Sequence, residues 1–345
     1  MAMASHSSSP HFVIMPFMSK GHTIPLLHLT HLLLRRNISV TILTTHANSP
    51  FVRQSLAGTK TSIIDLSFPQ NDVIPPGVES TEKLPSMALF VPFVNATKLL
   101  QPEFERVLES LQPSVSCIIS GAFLPWSLES ATKLGIPRLA FNGMSNFAMI
   151  VSTVVARDRL YAGLDSDDEP FTVPNFPWIK LTKNDYEKQF LDPDPNSPFF
   201  KFFQEQAKST ANSMGLIVNS IYELEQEYAD YWNSVSAPNK SWYVGPLCLA
   251  AEPPTKLKVQ TSLHKPIWVQ WIDEMLAKGR PVLYVAFGSQ ADITIEQLRE
   301  IAIGLDDSRA NFLWVVKSSK GEEDEFMDGF EERVKGRGLV ALMGS

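Results

Sequence analysis

A strand, a short loop and a helix follow one another without a break in residues 11–36, which read HFVIMPFMSKGHTIPLLHLTHLLLRR. The apolar run 12–17 contains Pro16, which fits a buried strand that ends at its proline. Leucines then recur at helical spacing from Leu26 to Leu34, and two arginines close the last turn. A strand that leads directly into a helix is the building unit of a parallel sheet covered by helices.

His22 lies where this strand gives way to this helix. Ligands of open parallel sheets bind in the crevice at the carboxyl ends of the strands. The positive end of the helix dipole disfavours imidazolium there, so a neutral His22 would be available as a base. Gly21 permits close backbone approach and Pro25 fits the first turn of a helix. A structural histidine that caps backbone groups is the alternative. No G-x-G-x-x-G follows the strand, which argues against a dinucleotide enzyme.

The remaining chain alternates strands with helices, which predicts a doubly wound parallel sheet. Predicted strands are 38–44, 61–68, 116–120, 138–141, 215–219, 241–244, 282–287, 311–316 and 338–342. Predicted helices are 49–56, 87–111 with a break at Pro102, 125–134, 145–160, 199–213, one opening near Tyr222, 267–276, 294–305 and 322–334. Strand 282–287 is apolar throughout, which is typical of a strand buried on both faces.

Four segments are expected to lack regular structure. Residues 69–85 are rich in Pro, Asn, Asp and Gly, which predicts a long surface loop. Residues 1–10 look like a disordered start, with neither the basic nor the apolar region of a signal peptide. Residues 162–198 form an acidic, proline-rich excursion of the kind that carries specificity or nothing. Residues 249–265 are a polar linker, which predicts a boundary between a domain of residues 11–248 and a second of residues 266–345.

Composition narrows the classes of partner. The net charge of −7 without a long basic run gives no support for nucleic-acid or anionic-membrane binding. Cys117 and Cys248 lie far apart in apolar segments, which favours reduced, buried thiols in a cytoplasmic protein over a disulfide or metal site. No apolar stretch reaches membrane-spanning length, and the other histidines lack metal-ligand spacing. We therefore expect no metal, no membrane span and no nucleic-acid partner.

Eight short motifs occur in a fixed order along nearly the whole chain. They are GHTIPL at 21–26, FLPW at 123–126, GIP at 135–137, NS and ELE at 219–225, VGPL at 244–247, WID at 271–273, VLYVAFGS at 282–289 and NFLWVV at 311–316. As an ordered set they resemble the plant family-1 UDP-sugar glycosyltransferases. The resemblance implies an α/β, GT-B-like fold with a complete amino-terminal Rossmann-like doubly wound parallel sheet and an incomplete carboxyl-terminal Rossmann-like domain.

The resemblance implies inverting transfer of a sugar, usually glucose, from UDP-glucose as co-substrate to a small lipophilic acceptor such as a flavonoid or other phenolic, with no other cofactor. It places His22 as the general base for the acceptor hydroxyl. Donor-binding candidates are Gly21, Gly288, Ser289 and Gln290, although a plain turn is the alternative for the Gly288-Ser289 pair. Acceptor-binding candidates, for which core packing is the alternative, are Phe17, Phe123, Trp126, Phe141, Gly143 and Met144.

The sequence departs from the family pattern at two places. The aspartate that usually follows the serine of the fourth strand and orients the histidine is Gly121 here. The tryptophan-led donor signature is expected after the strand at 338–342, where the sequence ends at Ser345. These departures predict an incomplete donor lobe and weak or absent transfer by the chain alone. The alternative function is an impaired binding module, or a regulatory partner that pairs with itself or a full-length homologue through an open sheet edge.

Overall fold

The computed structural model describes residues 9–186, 188–191, 194, 196–236, 240–250, 265–288, 293–316 and 323–342. The chain divides into two compact units, Met1–Pro253 and Pro254–Ser345. The predicted start at 1–10 and the predicted linker at 249–265 lie largely outside the described residues.

Among its described residues, the first unit has nine strands. They are β1 His11–Met15, β2 Ser39–Thr45, β3 Ser62–Leu66, β4 Cys117–Gly121, β5 Arg138–Asn142, β6 Phe171–Val173, β7 Phe176–Leu181, β8 Gly215–Val218 and β9 Lys240–Tyr243. Seven form one sheet in the order β3-β2-β1-β4-β5-β8-β9, and all neighbours run parallel. The predicted doubly wound α/β sheet is confirmed.

Helices cover both faces of this sheet. They are α1 Lys20–Arg35, α2 Ser49–Ser55, α3 Phe90–Thr97, α4 Gln101–Ser110, α5 Trp126–Leu134, α6 Asn146–Asp158, α7 Pro198–Ala211, α8 Gln226–Val235 and α9 Leu247–Ala250. Side chains alternate across a strand, so β1 contributes to two cores. Val13 and Met15 pack in one core with α3, α4 and α5, whereas Ile14 packs in the other with α1 and α2.

Two predictions about secondary structure are wrong. Residues 162–198 contain the antiparallel hairpin of β6 and β7, whose Phe171 and Phe176 pack in a third apolar cluster with α6. Its strands are short and its register shifts near Val173, so no alternating pattern marks it in the sequence. The break predicted at Pro102 lies earlier, in a 3-10 turn at Lys98–Leu100 between α3 and α4, and Pro102 itself lies in the first turn of α4, where a missing N–H costs little.

The predicted burial of Cys248 is also wrong, because this thiol is exposed while Cys117 is buried. Cys248 belongs to the single turn of α9, in which Leu247 points into the core and Leu249 points outward. Apolar neighbours in sequence therefore did not imply burial of the thiol, since a short surface helix buries only one side. Burial raises the pKa of Cys117 to about 12.

In the part of the second unit that the structure describes there are three parallel strands and three helices. They are β10 Val282–Ala286, β11 Asn311–Val316, β12 Gly338–Leu342, α10 Ile267–Ala277, α11 Ile295–Asp307 and α12 Glu323–Val334. The strand order is β10-β11-β12, and Phe312, Trp314 and Phe330 form the centre of the core. The prediction that β10 is buried on both faces is wrong, because Leu283 is 50% and Tyr284 66% exposed. In the described sheet β10 is an edge strand with only β11 beside it.

Candidate active site around His22

Strand order reverses between β1 and β4, because β2 and β3 lie on one side of this pair and β5, β8 and β9 on the other. Such a switch point opens a crevice at the carboxyl ends of the strands, where ligands of this class of sheet bind. The register pairs Met15 with Ser120, so the loop that leads to His22 and the end of β4 at Gly121 lie side by side. The topology therefore places the predicted base at the switch point.

The helix that carries His22 begins earlier than the turn-forming residues suggested. α1 starts at Lys20 after the N-cap Ser19, so His22 lies within the first turn and its N–H donates to the Ser19 carbonyl at 3.0 Å. Pro25 lies inside α1, beyond its first turn, and cannot donate the usual bond to the Gly21 carbonyl four residues before it. A Cβ on Gly143 would lie 3.2 Å from that carbonyl oxygen, so the structure brings Gly21 and Gly143 together.

Aromatic side chains surround the imidazole. The rings of His22 and Phe17 have centroids 5.2 Å apart in an edge arrangement, and the Phe123 ring lies 4.9 Å from His22. The ring of Phe123 also contacts Phe90 from α3 and Phe202 from α7, with ring centroids 6.0 and 5.5 Å apart. We call Phe17, Phe90, Phe123 and Phe202 the aromatic cluster. The sequence predicted Phe17 and Phe123, but nothing in the sequence indicated Phe90 or Phe202, which arrive from distant helices.

The environment keeps His22 neutral. Burial lowers the pKa of its imidazole from 6.5 to about 4, and the negative charge of Glu82 opposes that shift. Nδ1 is buried and has no hydrogen-bond partner among the described residues. At neutral pH the ring is therefore uncharged and can accept a proton, as the sequence led us to expect.

His22 is expected to make folding stability sensitive to acid. Its pKa is lower in the folded state, so between pH 6.5 and about 4 the unfolded chain binds the extra proton, and stability falls as the pH falls. The His22→Gln variant has no titrating group at this position. Its free energy of unfolding should therefore fall by about 2–3 kcal/mol less than that of the wild type across that window. Urea unfolding of both proteins at neutral pH and near the lower limit measures the difference. Parallel pH profiles would contradict it.

Backbone atoms of Phe17 occupy the space into which a side chain at position 121 would project. A Cβ atom there would lie 2.9 Å from the Phe17 amide nitrogen and 3.0 Å from Phe17 Cβ, distances that real contacts of this kind scarcely show. Gly121 therefore does more than omit a carboxylate, because the chain is packed where that carboxylate would begin. Among the described residues, no acid is hydrogen-bonded to Nδ1 of the His22 imidazole.

The buried side chain of Arg138 donates hydrogen bonds to the end of β4. Arg138 is fully buried, and its Nε donates to Ser120 Oγ at 2.8 Å and its Nη1 to Ser213 Oγ at 2.6 Å. Its Nη2 donates to the Gly121 carbonyl at 3.4 Å. These partners are neutral, and burial lowers the pKa of the guanidinium to about 9. The polar network fixes the backbone at Gly121 without supplying an acid to His22.

The other predicted acceptor residues take different positions. Trp126 is 2% exposed, its indole N–H donates to Thr97 Oγ1 at 3.1 Å, and its ring packs on Phe104, so it is part of the core. Phe141 is buried in the core on the α1 side of the sheet, and Met144 is 43% exposed. Of the predicted set, Phe17 and Phe123 make the ring contacts to His22.

The predicted donor residues of the second unit lie after β10. Gly288 has a φ of 79°, a backbone conformation that favours glycine, and a Cβ there would meet nothing within 4 Å. Ser289 and Gln290 lie outside the described residues. Their role as donor contacts stays a prediction.

Sequence reasoning missed Glu82, which lies in a segment taken for a plain surface loop. Its Oε1 accepts from the Lys20 backbone N–H at 2.6 Å and from Ser19 Oγ at 3.2 Å. A carboxylate so placed stabilises the amino end of α1. No local pattern signals this contact, because it joins residues 62 positions apart.

In the described ranges no group of three or more histidine, cysteine, aspartate or glutamate side chains could hold a metal ion. Nor does any helix within those ranges combine the length and apolarity needed to cross a membrane.

Comparison with known proteins agrees with the geometry. No family model matches the chain. It is 46% identical over 349 residues to UDP-glycosyltransferase 90A1 of Arabidopsis thaliana, covering 99% of this chain and 71% of that protein. It is 35% identical to UDP-glucose flavonoid 3-O-glucosyltransferase 7 of Fragaria ananassa, over 99% of this chain and 70% of that protein.

Solved structures of similar fold lead to the same family. The crystal structure of Glycyrrhiza uralensis UGT73P12, complexed with glycyrrhetinic acid 3-O-monoglucuronide, matches with a TM-score of 0.80 and 28% identity over 96% of this chain and 68% of that one. Arabidopsis thaliana UGT89C1 complexed with UDP-L-rhamnose matches at 0.71 and 26% identity, over 97% and 70%. The predicted GT-B-like fold class is thereby confirmed.

Proposed function

The chain belongs to the plant UDP-glycosyltransferases, and from that membership we propose that it transfers glucose from UDP-glucose to a phenolic hydroxyl with His22 as general base. The observation that carries the proposal is the neutral imidazole at the switch point of the sheet, flanked by Phe17 and Phe123. Flat aromatic walls suit a flat phenolic acceptor, and the names of several relatives include flavonoid, anthocyanin and scopoletin glucosyltransferases.

In the proposed step a proton and a glucose unit are transferred. The acceptor hydroxyl gives its proton to the His22 imidazole, and its oxygen forms a bond to the anomeric carbon of the sugar. The bond between that carbon and the UDP oxygen breaks, and UDP leaves with the electron pair. A phenol is a weak nucleophile until its proton is drawn off, so general-base assistance accelerates the step. Attack from the side opposite the leaving group inverts the anomeric configuration.

We propose Gly21, Gly288, Ser289 and Gln290 as donor contacts and Gly143 as an acceptor contact, and no metal is required. We propose the cytoplasm as the location, in keeping with reduced Cys117 and exposed, unpaired Cys248.

A second function is favoured by Gly121. Without an acid to orient the imidazole, the site around His22 would hold a phenolic molecule without transferring sugar to it. The exposed apolar side chains Leu283 and Tyr284 on the edge strand β10 would then serve to pair the chain with a second copy or another UDP-glycosyltransferase.

Purified protein incubated with UDP-glucose and a panel of phenolic acceptors separates the two functions. We expect acceptor-dependent release of UDP and a glucosylated product detected by mass spectrometry. UDP-glucose without acceptor is the control for simple hydrolysis. Calorimetric binding of an acceptor without any product, together with co-purification of a second chain, would instead support the binding function.

A further inference from the structure

We propose that Glu82 is the positioning carboxylate for His22 and takes over the electrostatic part of the role that Gly121 leaves open. This inference rests on the proposed function of His22 as the base. Glu82 comes from the segment between β3 and α3, not from β4, so it would reach the imidazole from the amino end of α1.

Hydrogen bonds hold Glu82 at that helix end. Its carboxylate accepts from the Lys20 N–H at 2.6 Å and from the Ser19 hydroxyl at 3.2 Å, within the turn that leads to His22. The neighbouring Thr81 N–H donates to the Met18 carbonyl at 3.0 Å. Three bonds therefore tie this segment to the three residues 18–20, and the carboxylate lies at the first turn of α1, which also contains His22.

Other charged groups near the cluster are engaged elsewhere. Lys20 Nζ lies over the Phe51 ring, 5.7 Å from its centroid, and Lys98 on the α3 side pairs with Glu205 of α7 at 2.7 Å. Lys83 is exposed. Among the described groups, Glu82 is the one whose charge acts on the His22 imidazole.

The charge of Glu82 matters most when His22 holds the acceptor proton. Imidazolium is poorly solvated among the phenyl rings of the aromatic cluster, and burial alone drives the pKa of His22 down. A fixed negative charge nearby stabilises the imidazolium and the transition state that leads to it. The carboxylate thus raises the basicity of His22 without a hydrogen bond to Nδ1, which has no partner in the part of the chain that the structure describes.

The Glu82→Gln variant tests the charge of Glu82 independently of its hydrogen bond at the amino end of α1. Glutamine keeps a carbonyl oxygen that can accept from the Lys20 N–H, but it carries no charge. We expect a melting temperature close to that of the wild type, a kcat lower by about five- to tenfold with KM unchanged, and a lower NMR titration midpoint for His22. Glu79→Gln is the matched control, because Glu79 lies in the same segment but accepts from the Ala47 N–H at 2.9 Å; it should change none of these.

The outcomes separate the two proposals. An unchanged His22 titration curve in Glu82→Gln overturns the role of Glu82, whether or not the enzyme turns over. If Glu82→Gln and Glu79→Gln lower kcat equally, the effect is general and the proposal also fails. If the wild type makes no product while the His22 midpoint still falls in Glu82→Gln alone, the electrostatic coupling stands and the transferase function fails.

Discussion

Substitution of His22 by glutamine is expected to lower kcat for sugar transfer by about 10²- to 10⁴-fold, the usual contribution of a general base. Glutamine has a similar size and stays neutral, so it fits among Phe17 and Phe123 but cannot take the acceptor proton. KM for the acceptor should change little, because the aromatic rings proposed to contact it remain. Steady-state rates with UDP-glucose and one phenolic acceptor measure both constants.

A histidine on the same helix provides the control for this experiment. His28 is half-buried on α1 six positions further along and therefore on a different face of the helix. His28→Gln should retain wild-type turnover. If His22→Gln is as active as His28→Gln, the proton is taken by another group, and the proposed mechanism is wrong even though the fold and family stand.

The parts of this site that the sequence predicted are those encoded locally. The run 12–17 and the leucines of α1 identify a strand followed by a helix from their own periodicity, and parallel topology then places His22 at the switch point. Its neutral state was also predicted, but the sequence argument relied on the helix dipole, whereas in the structure burial lowers the pKa of His22. Only the helix start was misplaced, because glycine and serine in the sequence resemble a turn when they in fact open the helix.

The parts that the sequence did not predict depend on contacts between distant segments. Glu82 bonds to a residue 62 positions earlier, and Phe202 meets Phe123 through α7, which packs across the sheet. Neither residue has a periodic pattern that marks its role, because each contact forms only when the fold brings distant segments together. Trp126 shows the reverse case, since its position in a family motif suggested a ligand contact, while its indole N–H bonds to Thr97 in the core.

The sequence and the structure give different information about Gly121. The sequence showed that the carboxylate usually present after the fourth strand is absent, which by itself suggests that one substitution would restore it. The structure shows that the Phe17 backbone packs against Gly121 and that the ring of the same Phe17 contacts His22 in an edge arrangement. Loop and glycine are therefore matched to each other, and the electrostatic support of His22 has to come from elsewhere.

Gly121→Asp is accordingly expected to destabilise the protein, by about 2–4 kcal/mol, and not to raise the rate of transfer. The Cβ clashes with the Phe17 backbone, and the carboxylate would be buried beside apolar rings. Gly121→Ala tests the clash alone and should cost about 1–3 kcal/mol. Gly21→Ala is the control, because a Cβ there meets nothing within 4 Å. Urea unfolding measures all three. An aspartate variant as stable as the wild type and faster in transfer would show that the loop at Phe17 yields, and that Gly121 alone limits the histidine.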